Sequence, residues 1–344
     1  MVRTAIAGAS GYTGFELIRL LAQHPEAELT AVASRSRAGE RLDSVYPALG
    51  GHCDLVFQAP DPDALTSRAD VVFTALPHQA AMDLVPLLLE RGVKVVDLSA
   101  DYRFRDAEAY EAWYQPHKTP ELLAEAVYGL PELHREAIRK ARLTGNPGCY
   151  TTSVILAAAP LVARGLADPG SVIADAKSGV SGAGRGLSLT THFCEVNEGF
   201  KAYKVASHRH TPEIEQELSL LAGEPLRIVF TPHLVPMSRG ILSTVYASLK
   251  EGVEEGAVDD AFRSFYEDAP FVRLRGADVP GTLQVRGSNY CDIGWKVDPR
   301  TRRVIVVSTL DNLTRGASGQ AVCNMNLMSG LPEASGLLFP PWQP

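Results

Sequence analysis

Gly8-Ala9-Ser10-Gly11-Tyr12-Thr13-Gly14 decides the reading of the fold. It follows a short apolar run, Thr4–Ala7, and leads into residues whose apolar members, Phe15, Leu17, Ile18, Leu21 and Ala22, recur at helical spacing until His24-Pro25 ends the pattern. Glycines between a first strand and a first helix permit a tight turn and let backbone N–H groups at the helix start approach a pyrophosphate, where the helix dipole favours an anion. The spacing is G-x-x-G-x-x-G and not the commoner G-x-G-x-x-G; a plain turn is the alternative, and the placement favours a dinucleotide site. Further apolar runs at Leu29–Ala33, Val71–Leu76, Val93–Leu98 and Leu143–Gly145 alternate with helical stretches, which predicts βαβ units and a buried parallel sheet.

An NAD-specific site of this kind carries Asp or Glu after the second strand, to bind the ribose hydroxyls. Ser34-Arg35-Ser36-Arg37 stands there instead. A hydroxyl beside a guanidinium suits a 2′-phosphate, so the expected cofactor is NADP(H), against the alternative of a solvated basic loop.

Beyond residue 150 the strands lengthen (Ser171–Ala176, Arg227–Thr231, Ile241–Leu249, Arg303–Leu310) and are separated by acidic helices such as Pro212–Leu221, as expected for a second, α+β domain with a mixed or antiparallel sheet. A last helix, Gly316–Met328, could fold back onto the first domain. The expected division is 1–148 with 315–344, and 149–314. The chain has 344 residues, 45% of them hydrophobic and 21% charged, and a net charge of −7, which argues for a large core and against a nucleic-acid partner. Its longest apolar stretch, Val154–Ala163, is shorter than the roughly 20 residues a membrane span needs. With no export signal before Ala7 and five scattered cysteines lacking any Cys-x-x-Cys pair, a cytoplasmic protein with reduced thiols is expected.

Thr144-Gly145-Asn146-Pro147-Gly148-Cys149-Tyr150-Thr151-Thr152 joins a strand to a helix expected from Ser153. Cys149 then sits at a helix N-terminus, where unpaired N–H groups favour a thiolate; a small buried hydrophobe is the bland alternative. Ser207-His208-Arg209-His210-Thr211-Pro212-Glu213 offers two histidines ahead of a helix that Thr211 could cap and Pro212 could open. Either histidine could be a base for Cys149 or a packing group, and no third and fourth ligand at zinc-like spacing supports a metal site. Asp175–Gly186 ends a strand in a glycine-rich loop containing Ser178 and Gly179, either an anion cradle or a mobile surface loop. Leu98–Arg103 puts Arg103 at the carboxyl edge of the first sheet, where it could grip a phosphate or pair with Asp101 or Asp106.

Residues 8–14, Gly145-Asn146-Pro147-Gly148-Cys149-Tyr150, His208-Arg209-His210-Thr211-Pro212-Glu213-Ile214 and Asp311–Ala321 together closely resemble the N-acetyl-γ-glutamyl-phosphate reductase family, relatives of the aspartate-semialdehyde dehydrogenases, from Gly8 to about Met328. The resemblance implies a Rossmann domain completed by the C-terminal helix, an inserted substrate and oligomerisation domain, NADPH as reductant and a homo-oligomer, dimer or tetramer. It implies Cys149 as nucleophile and His210 as acid/base. Gly8, Ser10, Gly11, Tyr12, Thr13, Gly14, Ser34, Arg35 and Asn312 would hold the cofactor; Arg103, Ser178, Gly179 and His208 would hold a small acyl-phosphate substrate. The alternatives are a related reductase of carrier-bound aminoadipyl phosphate in lysine synthesis, a cysteine hydrolase or acyltransferase, a phosphorylating dehydrogenase working in the oxidative direction with NAD, and a nucleotide-sensing scaffold.

Overall fold

A computed structural model describes residues 1–343. The chain forms two compact units, Met1–Pro147 with Ala317–Leu338, and Gly148–Gly316 with residues 339–343. The sequence division assigned all of 315–344 to the first. Trp342 instead donates its N–H to the Arg286 carbonyl at 2.8 Å, and its ring lies so close over Gly287 that an added Cβ would come within 2.6 Å of it.

The first unit is built on seven strands: β1 (Val2–Ala7), β2 (Ala27–Ala33), β3 (Phe57–Gln58), β4 (Val71–Thr74), β5 (Lys94–Asp97), β6 (Val127–Tyr128) and β7 (Leu143–Gly145). All pairs are parallel, in the order β3-β2-β1-β4-β5-β7-β6. The central strands are mostly apolar, as in a buried parallel sheet, and every residue of β4, including Thr74, is buried. Helix Gly319–Met328, preceded by a wider π-type turn at Thr314–Ser318, packs against helices Pro131–Lys140 and Tyr12–Leu21 and against β5. All ten of its residues are buried, so its amides must find partners. Gln320 and Asn324 donate to the Gly129 carbonyl at 2.8 and 2.9 Å, and Asn324 also donates to Asn146 Oδ1 at 3.0 Å.

The second unit carries β8 (Ile173–Gly179), β9 (Lys201–Ala202), β10 (Val229–Val235), β11 (Ile241–Ser248), β12 (Val272–Gly276), β13 (Cys291–Asp298) and β14 (Arg303–Leu310). Their order is β12-β13-β14-β11-β8-β10-β9, with β12–β13 and β8–β10 parallel and the other pairs antiparallel, a mixed sheet. Helix Cys149–Ala163 lies on one face, where Ser153 donates to Ser243 at 2.8 Å. Pro160 inside this helix offers no N–H to the Leu156 carbonyl, and the Tyr266 hydroxyl donates to that carbonyl instead. Along β11 the other face holds Leu242, Thr244, Tyr246 and Ser248, all half-buried. Among the described residues no helix is long and apolar enough to cross a membrane.

Asp97, fully buried at the end of β5, accepts the hydroxyl protons of Thr74 at 2.6 Å and Ser99 at 2.5 Å. Burial, reinforced by the Asp101 charge, pushes its carboxyl from 3.8 up to about 7. A carboxyl raised on folding binds its proton more tightly in the folded chain, so stability falls as pH climbs from the unfolded value to the folded one and is level above it. Asp97→Asn removes this titration while amide and hydroxyls can still pair. Urea midpoints should show the variant gaining on the wild type between about pH 5 and pH 7, at a slope of at most about 1.4 kcal/mol per pH unit. Parallel pH profiles would contradict the assignment.

Candidate functional site

In the first unit, the predicted turn sits between β1 and helix Tyr12–Leu21, with Gly11 as N-cap and no side-chain cap. Gly8 has φ +93°, and a Cβ there would lie 2.2 Å from the Ala75 carbonyl oxygen, so backbone passes backbone at a distance only glycine allows. At Gly11 the nearest atom to an added Cβ is 3.8 Å away, and Tyr12 is exposed, which leaves the helix entrance open. Ser10 Oγ and Ser34 Oγ are 2.9 Å apart, which ties this turn to the end of β2. Arg37 pairs with Glu40 at 3.3 Å, whereas the exposed Arg35 has no hydrogen-bond or ion-pair partner among the described residues. The turn thus offers uncapped N–H groups, and the loop beyond β2 offers an uncommitted guanidinium beside hydroxyls, a set that fits a dinucleotide bearing a 2′-phosphate.

Arg103 is buried in the same unit, and its Nη2 donates to the Leu98 carbonyl at 2.9 Å. The two carboxylates considered as its partners have other work. Asp106 caps helix Ala107–Glu111, and Asp101 accepts the Tyr110 hydroxyl and the Gln79 N–H, each at 2.8 Å.

In the second unit, the Cys149 helix starts four residues earlier than the sequence pattern indicated. Cys149 is its first residue and Gly148 its N-cap. The thiol is half-buried, and the next residues, Tyr150 to Val162, are all buried. The imidazole of His210 lies directly against Gly148, such that an added Cβ would be 2.5 Å from Nε2. On another side is Gly316, where an added Cβ would be 2.8 Å from Cys149 Cβ. Nucleophile candidate and imidazole are therefore packed around two glycine α-carbons. His210, not Thr211, is the N-cap of helix Thr211–Ala222, and the Thr211 hydroxyl has no partner among the described residues; the cap expected from Thr211 is not formed because that residue is already the first helical one. Pro212 does fall in the first turn.

His208 is buried, and its Nδ1 accepts the His210 backbone N–H at 3.1 Å, so the ring proton resides on Nε2, 3.3 Å from the Tyr203 hydroxyl. Burial first, then the positive charges of Lys204 and Arg209, hold its pKa down at about 4. A neutral imidazole whose two nitrogens are engaged in this way is a poor ligand for a phosphate.

Ser178 and Gly179 end β8. The anion cradle considered for this loop is not available at its start, because the N–H groups of Gly179, Val180 and Ser181 are bonded to the carbonyls of Gly240, Met237 and Ser238 at 2.9, 2.9 and 3.1 Å. Nor is that start mobile surface, since Gly179 is buried with the Ser238 carbonyl 2.7 Å from where its Cβ would be. The Gly-rich sequence is there for the close approach of two chain segments. Asn312 accepts the Gly240 N–H at 2.8 Å and donates to Ser181 Oγ at 2.9 Å. Asp311, which sequence reasoning passed over, holds this turn by accepting the N–H groups of Leu313, Thr314 and Gly287 at 2.9, 3.0 and 2.8 Å.

The second unit thus gathers Cys149, His208 and His210 in one cluster and Ser178, Gly179 and Asn312 in another, while the glycine turn, Ser34, Arg35 and Arg103 belong to the first unit. Sequence reasoning missed Glu213, whose buried carboxylate touches both Gly148 and Thr151. The sequence carried no signal for it, since Gln216 and Glu217, three and four residues on, make its side of the helix read as a polar one, although Glu213 and Glu217 are both buried. Among the described residues no group of three or more His, Cys, Asp or Glu is placed to hold a metal.

Residues 3–141 match the semialdehyde dehydrogenase NAD binding domain, and residues 149–312 the semialdehyde dehydrogenase dimerisation domain. Over 344 residues, the full length of both chains, the sequence is 72% identical to the N-acetyl-gamma-glutamyl-phosphate reductase of Syntrophobacter fumaroxidans. The enzyme of that name from Symbiobacterium thermophilum is 59% identical, with 98% of this chain and 97% of the relative covered. Among solved structures, aspartate semialdehyde dehydrogenase II of Vibrio cholerae, complexed with ASA, matches with a TM-score of 0.74 at 17% identity, covering 96% of this chain and 98% of that one. The Candida albicans aspartate semialdehyde dehydrogenase with NADP matches with a TM-score of 0.72 at 18% identity, again over 96% and 98%.

Two outcomes are expected from this geometry. In ring-resonance NMR, His208 should show no titration between about pH 5.5 and pH 9, and a midpoint above pH 6 would contradict its placement. Gly148→Ala should force the His210 ring aside, slowing iodoacetamide alkylation of Cys149 at pH 7 and costing about 1–3 kcal/mol of stability by overpacking. Wild-type alkylation and stability in that variant would contradict the contact.

Proposed function

The chain belongs to the N-acetyl-gamma-glutamyl-phosphate reductase family of semialdehyde dehydrogenases, and on that premise we propose that Cys149 is its nucleophile and His210 its acid/base. The reaction is the NADPH-dependent reduction of N-acetyl-gamma-glutamyl phosphate to N-acetylglutamate semialdehyde and phosphate, in arginine biosynthesis. The relatives do not favour the carrier-bound aminoadipyl alternative. The observation that carries the site assignment is the packing of the His210 imidazole against the residue that caps the Cys149 helix.

His210 takes the thiol proton, and the helix start favours the thiolate so formed. The sulfur attacks the γ-acyl carbon; a C–S bond forms, the C–O bond to phosphate breaks, and phosphate leaves with its electron pair. A thioester on Cys149 remains. When bound, the reduced nicotinamide supplies the hydride that takes this thioester to the aldehyde level. His210 donates its proton to the oxygen of the resulting hemithioacetal and takes it back as the carbonyl forms and the C–S pair returns to sulfur, so the thiolate and the protonated imidazole are regenerated together. Gly8, Ser10, Gly11, Tyr12, Thr13 and Gly14 would hold the pyrophosphate end of the cofactor, Ser34 and Arg35 its 2′-phosphate, and Asn312 its nicotinamide end. Arg103 and the Ser178 hydroxyl, which in the free chain donates to the Gly179 carbonyl at 3.0 Å, are the groups proposed for the substrate; Gly179, its N–H bonded to the Gly240 carbonyl, is withdrawn from that set. His208 is reassigned from substrate ligand to support of His210, since its two nitrogens face the His210 N–H and Tyr203.

A second copy of this chain is the proposed partner. The face of the second sheet opposite Ser243 carries half-buried Leu242, Tyr246 and Ile305, the segment beyond Gly184 exposes Leu187, Leu189, Phe193 and Phe200, and the matched domain is described as a dimerisation domain. All five cysteines are free, in keeping with a cytoplasmic setting.

The test is the reverse reaction, NADP⁺ reduction with N-acetylglutamate semialdehyde and phosphate. Cys149→Ala should lose at least about a thousandfold in kcat with the fold intact. Arg35→Ala should raise the KM for NADP⁺ by about 10- to 100-fold while leaving that for NAD⁺ in place. Full activity in Cys149→Ala, or equal losses with both cofactors in Arg35→Ala, would refute the respective assignment.

A further inference from the structure

Leu338 is the last residue of the first unit, and residues 339–343 belong to the second, where Trp342 fastens them. Its N–H donates to the Arg286 carbonyl at 2.8 Å, and its ring covers Gly287, which has φ +74° and no room for a Cβ. Glycine is thus required at 287 twice, for its backbone conformation and for the ring. The Arg239 guanidinium lies over the same indole, 5.7 Å from the centroid, within cation–π range. The Arg239 side chain is 16% exposed, and its Nη1 faces both oxygens of fully buried Asp311 at 3.4 and 3.5 Å. Charge-assisted bonds usually measure about 2.7–2.9 Å, so this pair does not hold the guanidinium by itself. The Gly287 N–H donates to Asp311 Oδ2 at 2.8 Å. The remaining donors to Asp311, the N–H groups of Leu313 and Thr314, come from its own turn. Both groups that hold this carboxylate from outside its turn therefore lie against one indole.

We propose that Trp342 is a positioning residue for the reaction: it holds Arg239 and the Gly287 N–H on Asp311, and so sets the turn from which Asn312 presents its carboxamide. The proposal rests on the reading of Asn312 as a ligand for the nicotinamide end of the cofactor. Asn312 directly follows Asp311 and shares its turn, where it accepts the Gly240 N–H and donates to Ser181 Oγ. With the indole removed, Arg239 is free to extend into water, the Asp311 charge loses its cationic partner, and water reaches the Gly287 N–H. The turn then keeps only its internal bonds to Asp311 and can shift. Displacements of the order of 1 Å between reacting groups cost about a hundredfold in rate, and smaller ones cost less. The imidazole of His210 is held at Gly148 by its own contact. The loss therefore falls on hydride transfer and spares acylation of Cys149.

The experiment separates the two half-reactions by rapid mixing, in wild type and in Trp342→Ala, Trp342→Phe, Arg239→Met and Asn312→Ala. The burst of phosphate released from N-acetyl-gamma-glutamyl phosphate without NADPH reports acylation; the loss of NADPH fluorescence on mixing with the acylated protein reports hydride transfer. Trp342→Ala should slow hydride transfer about tenfold, with the rate and amplitude of the burst within about twofold of wild type. Trp342→Phe keeps a ring over Gly287 and should recover most of the rate. Arg239→Met should slow the same step, and combining it with Trp342→Ala should cost less than the product of the two losses, because both act through Asp311. Wild-type hydride transfer in Trp342→Ala overturns the proposal. So does a loss shared equally by both steps or confined to burst amplitude, which is what a tail that only stabilises the fold would give. Should Arg239→Met not fold, the two Trp342 variants decide. Hydride transfer unchanged in Asn312→Ala would sink the underlying reading and this proposal with it; slowed transfer there beside wild-type transfer in Trp342→Ala sinks this proposal alone.

Discussion

The contact between the His210 ring and the α-carbon of Gly148 is the constraint on which the second unit's chemistry depends. It exists only because residue 148 has no side chain; an added Cβ would sit 2.5 Å from Nε2. Bringing two helix starts this close would leave several backbone N–H groups without partners, and the chain answers with groups of its own. Glu213 takes the N–H of Gly148, and His208 takes that of His210. His208 can accept only while neutral, and burial beside Lys204 and Arg209 keeps it so. Cationic His208 would have two donors and would turn one of them on the N–H it now accepts.

The same principle organises the turn at Asn312. A buried aspartate, Asp311, gathers three backbone N–H groups, and the amide that follows it bridges Gly240 and Ser181. Both clusters use a buried carboxylate as a knot for irregular backbone, where regular secondary structure cannot satisfy the donors. In the first unit, Ser10 and Ser34 join the glycine turn to the end of the second strand by a neutral bond, which leaves the charge of Arg35 uncommitted.

Much of this was legible in the sequence. The parallel sheet followed from short apolar runs alternating with helical stretches, and Leu143–Gly145 and Arg303–Leu310 coincide with observed strands. β13 was not legible, because Asp292, Gly294 and Lys296 interrupt its apolar pattern; it gains its place by pairing on both sides. The start of the Cys149 helix was set too late, since Thr151 and Thr152 read as loop residues. Their hydroxyls turn back to the Gly148 carbonyl, at 2.6 and 3.1 Å, and so serve the helix. The glycine-rich stretch after β8 suggested an anion cradle, but a sequence cannot show that Met237–Gly240 already occupies those N–H groups. Cys149 and His210 were singled out through motif and resemblance, and both lie against Gly148 or next to it in the chain; Glu213, which accepts the Gly148 N–H, was not, because its meaning lies in which helix it touches.

The central claim is that Cys149 carries the acyl group during turnover. The most direct measurement is peptide mass spectrometry of the protein mixed with N-acetyl-gamma-glutamyl phosphate in the absence of NADPH and quenched in acid. An N-acetylglutamyl adduct on the peptide containing Cys149, absent from Cys149→Ala and discharged when NADPH is added before the quench, is the predicted result. Turnover by a protein that never shows an adduct on Cys149, or an adduct that persists in Cys149→Ala, would contradict it.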